Sequence, residues 1–188
     1  MLFRSLTSVQ LSAIAPLQWS QMASDDLVAL NAAQWASVPP TSLHHLMTSQ
    51  WAAMAIDDLR SLGRGQWEGL PTDALHAIQT SQWAQLQPED LKSLTAYQWS
   101  TLATDDLSAI LPTQWSVIGA FPLTALGSEQ WQQLSSDDLR ALLPSQWGSV
   151  PSSLIELMSL SQWTALATDD LDAIRIGKRL VATEAFTT

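Results

Sequence analysis

The sequence predicts an all-α tandem-repeat solenoid: an elongated stack of about eleven coils, each a 16-residue coil made of two short helical half-repeats of 8 residues. Three observations carry that prediction. Ten Trp, from Trp19 to Trp163, recur every 16 residues without one insertion, and each follows a Gln, from Gln18 to Gln162. Columns at Trp+3, Trp+8 and Trp+11 keep step with them, so that all forty slots are apolar. Eight of the nine Pro lie between the apolar pairs, where a helix has ended or can begin.

The frame starts before the first Trp. Phe3, Leu6, Leu11 and Ile14 continue the columns backwards with Phe3 in the Trp slot, which makes residues 1–18 a capping coil in degenerate register. Residues 19–176 hold the ten Gln-Trp repeats, one half written Gln-Trp-x-x-Leu and the other Asp-Asp-Leu-x-Ala-Leu. Apolar residues three apart followed by a gap of five suit one short helical segment, whereas a strand would alternate with period two. A continuous helix fails, because eight residues advance the pattern by about 80° and no face would stay apolar. Abundant Leu, Ala, Gln and Met agree with helix.

Boundaries come from proline and from capping chemistry. Pro16, Pro112 and Pro144 stand at Trp−3, Pro39, Pro71 and Pro151 at Trp+4, and Pro40 and Pro88 at Leu−3. Ser24, Thr72, Thr104, Ser136 and Thr168 precede acidic residues and are predicted as N-caps, with carboxylates in the first turn facing the helix dipole. Pro122, with Gly119 and Phe121, marks a candidate kink. The frame stops where Arg179 falls in the Trp slot, leaving residues 177–188 as a C-terminal cap or tail. Helices this short are marginal alone in water, so stacking around a thin core of Trp, Leu, Met and Ile must hold them. The Trp ladder is read as core, with a stacking platform for sugar rings as the competing reading. The Gln column is read as satisfying backbone groups that short helices leave open.

Composition narrows the partners. With 18 acidic against 8 basic side chains and a net charge of −10, the chain lacks the clustered Lys and Arg that phosphate backbones require, so nucleic acid is excluded as a partner. No apolar run approaches the roughly 18 residues of a membrane span, and Met1–Ser5 lacks the charged-then-apolar order of a signal peptide, so a soluble chain is expected. Zero Cys removes disulfides and thiolate chemistry. The acidic column (Asp25, Asp57, Asp73, Glu89, Asp105, Asp137, Asp169) could attract calcium, but helix capping and the i,i+3 pairs Asp57/Arg60, Asp73/His76, Glu89/Lys92 and Asp137/Arg140 explain it without a metal. His44, His45 and His76 are the only histidines, and His44 and His76 share one repeat slot, as surface variants do. No catalytic, cofactor-binding or metal-ligating residue is expected, and the chain is read as a non-enzyme.

Half-coils such as Thr7-Ser8-Val9-Gln10-Leu11-Ser12-Ala13-Ile14 and Thr80-Ser81-Gln82-Trp83-Ala84-Gln85-Leu86 resemble the Thr/Ser-x-x-Gln-apolar octapeptide arrays of large bacterial secreted and surface proteins. Trp in alternate halves departs from the simple octapeptide. The resemblance implies a bacterial, exported scaffold and no residue-level activity. The expected function is a structural or protein-interaction scaffold whose partner is another protein or a second copy, with Phe3 at one end and Leu180, Val181 and Phe186 at the other either covering the core or mediating end-to-end stacking. The alternative is a carbohydrate- or surface-binding module.

Overall fold

The computed structural model describes residues 3–184. Among them the chain forms one 3-10 turn, Phe3–Ser5, and twenty-one α-helices, with no strand. Apart from the last, the helices are four to six residues long, and two kinds alternate without a break. One kind carries the Trp, as in Pro16–Trp19, Thr48–Ala52 and Arg64–Glu68; the other carries the Trp+8 apolar residue, as in Ser24–Val28, Ile56–Arg60 and Thr72–Ala77. They are called Trp helices and Leu helices below. Packing divides the chain into two compact units, one running to Gln98 and the other from Trp99.

Each helix starts and stops where its chemistry requires. Pro16, Pro40, Pro88, Pro112 and Pro144 are first helical residues, where a missing N–H costs nothing, and Pro39, Pro71 and Pro151 are N-caps. Ser24, Thr72, Thr104 and Ser136 are not N-caps. They are the first helical residues, and the cap lies one position earlier at Ala23, Pro71, Ala103 and Ser135. At Ser135 the third helical residue, Asp138, reaches back to accept the N–H of the cap residue at 3.0 Å, whereas Pro71 has no N–H and is followed at that position by Ala74. At the far end each helix tightens into a 3-10 turn, as where the Met54 and Leu62 N–H groups donate to Trp51 and Leu59 carbonyls at 3.1 Å.

The expected kink at Pro122 is a local turn. Gly119 takes a left-handed φ of +87°, which a Cβ would strain, and the helix Phe121–Ala125 begins from Ala120 in a helical rather than extended conformation. Leu123 is still fully buried, so the frame survives. At the other end the final helix, Thr168–Glu184, runs straight through the register where the repeat would have turned, so residues 177–184 are helix.

Within each unit the closest packing joins helices three apart in the chain, such as Thr48–Ala52 with Thr72–Ala77 and Pro112–Trp115 with Ser136–Ala141. Two helices of one 16-residue coil therefore do not close a core between them, as the sequence had suggested. A turn of only two such helices would leave no interior wide enough for an indole, and the side chains that reach across link residues 25 to 31 apart.

Candidate functional site

The most regular constellation in the molecule is the Gln-Trp pair. Nine of the ten Trp are 0–1% exposed, and Trp163, in the last Trp helix, is half-buried. Neighbouring rings meet at 6.4 Å for Trp19 and Trp35, 6.0 Å for Trp99 and Trp115, and 6.1 Å for Trp131 and Trp147, tilted or edge-on as aromatic quadrupoles prefer. The Trp+3 and Trp+8 residues fill the space between them, with Leu43, Leu59, Leu75 and Leu91 fully buried.

The Gln side chain holds the helices in that position. In all ten Trp helices its Oε1 accepts the backbone N–H three residues earlier, at 2.6–2.9 Å. In Gln34, Gln50, Gln66, Gln98 and Gln130 the Nε2 group then donates to carbonyls 31 and 28 residues back. Gln66 reaches Trp35 at 2.9 Å and Val38 at 2.8 Å; Gln98 reaches Trp67 at 2.8 Å and Leu70 at 2.9 Å; Gln130 reaches Trp99 at 2.9 Å and Leu102 at 2.8 Å. An amide has two donors and an acceptor on one planar group, and no other neutral side chain of this length but Gln offers that set. At the Gly119 turn Gln146 takes the Gly119 carbonyl, 27 residues back, at 2.8 Å.

Six of the Leu helices carry Asp where the Trp helices carry Gln: Asp26, Asp58, Asp90, Asp106, Asp138 and Asp170. Asp90 and Asp138 accept the N–H of Gln87 and Ser135 at 2.9 and 3.0 Å, and Asp170 that of Ala167 at 3.0 Å. Burial raises the carboxyl pKa of Asp58, Asp90, Asp138 and Asp170, and the adjacent exposed Asp or Glu adds to the rise at each of Asp58, Asp90 and Asp138. At Asp170 the neighbour is Asp169. At Asp90 the Gln87 N–H, the Arg60 charge and the indole N–H of Trp67 oppose that rise. Among the described residues the buried indole N–H groups of Trp19, Trp35, Trp51, Trp99, Trp115, Trp131 and Trp147 have no acceptor.

The remaining expected features are dispersed. His44, His45 and His76 lie on the surface. The pairs Asp57/Arg60, Glu89/Lys92 and Asp137/Arg140 form at 3.9, 2.9 and 3.7 Å between exposed groups, where such pairs contribute little. Among the described residues no three His, Asp or Glu side chains form a metal-holding group, and no helix is long and apolar enough to cross a membrane. One role was invisible in the sequence: Arg at the position after the core residue donates to a carbonyl 25 residues on. Arg60 bonds the Gln85 carbonyl and Arg140 the Ala165 carbonyl at 3.2 Å. The recurrence of Arg at Leu+1 was the available signal.

Comparison with family models, with curated proteins and with solved structures finds no match for this chain.

Proposed function

We propose that the protein is a non-enzymatic scaffold, a helical solenoid whose variable outer side chains present an interaction surface. The observation that carries the reading is the Gln clamp. The residues repeated most strictly, Gln and Trp, are spent on holding helix to helix, and the positions between them differ from repeat to repeat. Packing between helices three apart, with Gln bonds to the fourth, fits a superhelix of three to four helices per turn. The resemblance to bacterial octapeptide arrays agrees with a scaffold of secreted or surface proteins. A sugar platform needs open indole faces, and the burial of nine of them favours the scaffold.

Tryptophan emission with acrylamide quenching tests this reading. The expected result is blue-shifted emission, slight quenching and no response to soluble polysaccharides. Free quenching that a polysaccharide suppresses would replace the scaffold with a carbohydrate-binding module.

A further inference from the structure

The residue that precedes each Trp helix at Trp−4 alternates in kind from coil to coil. In one set it is Asn31, Gly63, Thr95, Gly127 and Ser159, residue types favoured at a helix start; in the other it is Ala15, Met47, Gln79, Leu111 and Leu143. The Ser159 hydroxyl accepts the Gln162 N–H at 3.3 Å, a bond that Leu111 and Leu143 give up while staying about half exposed. The fold gains nothing from that exchange. The unit from Trp99 carries two more of the same sense. Phe121 stands in a slot that holds an exposed acid in most coils, and Val117 in the Trp+2 slot, which is otherwise small or polar. Both flank the turn at Gly119, and Gln146 ties that turn to Leu143: its Oε1 accepts the Leu143 N–H at 2.7 Å, and its Nε2 donates to the Trp115 and Gly119 carbonyls at 2.8 Å. Leu111, Val117, Phe121 and Leu143, each 45–54% exposed, therefore gather on two neighbouring Trp helices and the turn beside them. Their surroundings are acidic. Between Trp99 and Ile176 nine carboxylates stand against two Arg, and Arg140 and Arg175 are each held by a neighbour, Asp137 at 3.7 Å and Asp172 at 3.0 Å.

We infer that this patch binds a cationic amphipathic helix of another protein. The inference rests on the scaffold reading and adds the face it uses and the chemistry of its partner. Exposed apolar patches of this kind mark contact surfaces. Leu111 and Leu143 hold the same place on two helices joined by Gln146, so they stand roughly one helix diameter, about 10 Å, apart. Side chains seven apart on a partner helix recur at about 10.5 Å along its axis and meet both. Those on one face of a strand recur at about 6.6 or 13 Å and do not. Charge decides between a foreign helix and a second copy. A second copy brings the same excess of carboxylates, and like charges oppose its approach. Lys and Arg beside the apolar face of a partner helix instead find the exposed Asp105 and Asp137, which open the two helices that lead into Leu111 and Leu143.

Fluorescence anisotropy of labelled Leu-Lys peptides, titrated with the full chain, tests this. One peptide is two heptads long with its Leu on one helical face; the other has the same composition with its Leu scattered around the helix. The first is expected to bind saturably, and the second about tenfold more weakly or worse. Phe121→Asp, and Leu111→Ser together with Leu143→Ser, place in these slots residues that the same slots hold elsewhere in the chain, so the fold should persist, as dichroism checks. Each variant is expected to weaken the first peptide about tenfold or more. Phe121→Asp adds a negative charge, so attraction by charge alone would tighten binding instead. No binding of the first peptide, equal binding of the two peptides, or undiminished binding to Phe121→Asp overturns the inference. A wild type that dimerises in sedimentation where Phe121→Asp stays monomeric overturns it too, and gives the patch to a second copy. Any of these results leaves the scaffold standing while the Trp stay shielded from acrylamide; Trp open to the quencher and protected by a polysaccharide fail both readings.

Discussion

Gln66 allows the inter-helix clamp to be measured in parts. The residue is 6% exposed, and its amide makes three bonds: from Gly63 N–H at 2.7 Å, and to the Trp35 and Val38 carbonyls at 2.9 and 2.8 Å. The Trp35 carbonyl also accepts the Val38 N–H at 3.1 Å, so it keeps one partner when the amide is removed. Gly63 N–H and the Val38 carbonyl lose theirs. With about 1–2 kcal/mol for each orphaned group, Gln66→Ala is expected to cost about 2–4 kcal/mol, a large share of the ~5–15 kcal/mol that holds most domains. Gln66→Asn divides that cost. Its side chain has the length of Asp90, which still reaches an N–H three residues back, so the cap survives, the clamp is lost, and about 1–2 kcal/mol goes. Gln66→Glu keeps the cap but sets a carboxylate against two carbonyls, and it should be at least as damaging as Ala. Urea unfolding followed by tryptophan emission and by dichroism gives the midpoints. Equal midpoints for Glu and wild type, or for Asn and Ala, would refute the assignment of two separate jobs to one amide.

Three further outcomes follow from the same geometry. Trp83→Ala, at a fully buried site, should cost about 3–5 kcal/mol by leaving a cavity, and Trp83→Phe clearly less; an unchanged melting curve for the Ala variant would remove Trp from the core. Gly177→Ala should loosen the final helix, since a Cβ there would stand 2.7 Å from the Gly148 carbonyl oxygen, while Gly148→Ala meets nothing closer than 3.9 Å and should be neutral; hydrogen exchange over the final helix would show whether the two differ. Acidity should stabilise the fold. Raised carboxyl pKa values at Asp58, Asp90, Asp138 and Asp170 mean that the folded chain binds protons more tightly than the unfolded one, so stability falls as pH rises through the window from about 3.9, the unfolded Asp value, to the raised folded values. Asp90→Asn should raise the midpoint at pH 7 and flatten that dependence, and a midpoint that drops steadily as pH is lowered from 7 would contradict it.

The alternation of two helix kinds was legible because proline and the three-residue apolar spacing are local signals. Burial of Trp was legible for the same reason, since forty apolar slots in register leave no other filling for the interior. The packing step was not. A periodic sequence states which face of each helix is apolar, and that statement is identical whether a helix meets its second, third or fourth successor. The dual use of Gln was half legible: its chemistry suggested backbone satisfaction, but the acceptors lie 28 and 31 residues away, a distance that depends on the unseen step. The cap at Ser136 moved by one residue because Ser136 resembles a good N-cap, while Asp138 stands at the third helical position and its carboxylate serves the N–H of Ser135 instead. The straight final helix has its signal in Lys178 and Arg179, where Gln and Trp would otherwise impose a turn.

The step of three explains why the sequence repeats at 16 and not at 8. An odd step between two alternating kinds of helix always pairs unlike partners, and the strongly packed pairs do join a Trp helix to a Leu helix. Each such contact sets one large ring against one smaller side chain, which keeps the interior at constant thickness and close packing. Were every half-repeat the same, each contact would set Trp on Trp or Leu on Leu, and the core would be overfilled or hollow. A step of four is even and joins like to like, which is why the Gln clamp always runs from one Trp helix to another. Two Leu helices are tied instead by Arg60 and Arg140, which take the carbonyls of Gln85, just past a Trp helix, and Ala165, at the end of one, 25 residues on. The cost of a substitution is therefore set by its slot, largely independent of its coil, and the side chains at Trp+1 and Trp+2 are left free to differ along the surface, as a scaffold that displays an outer face requires.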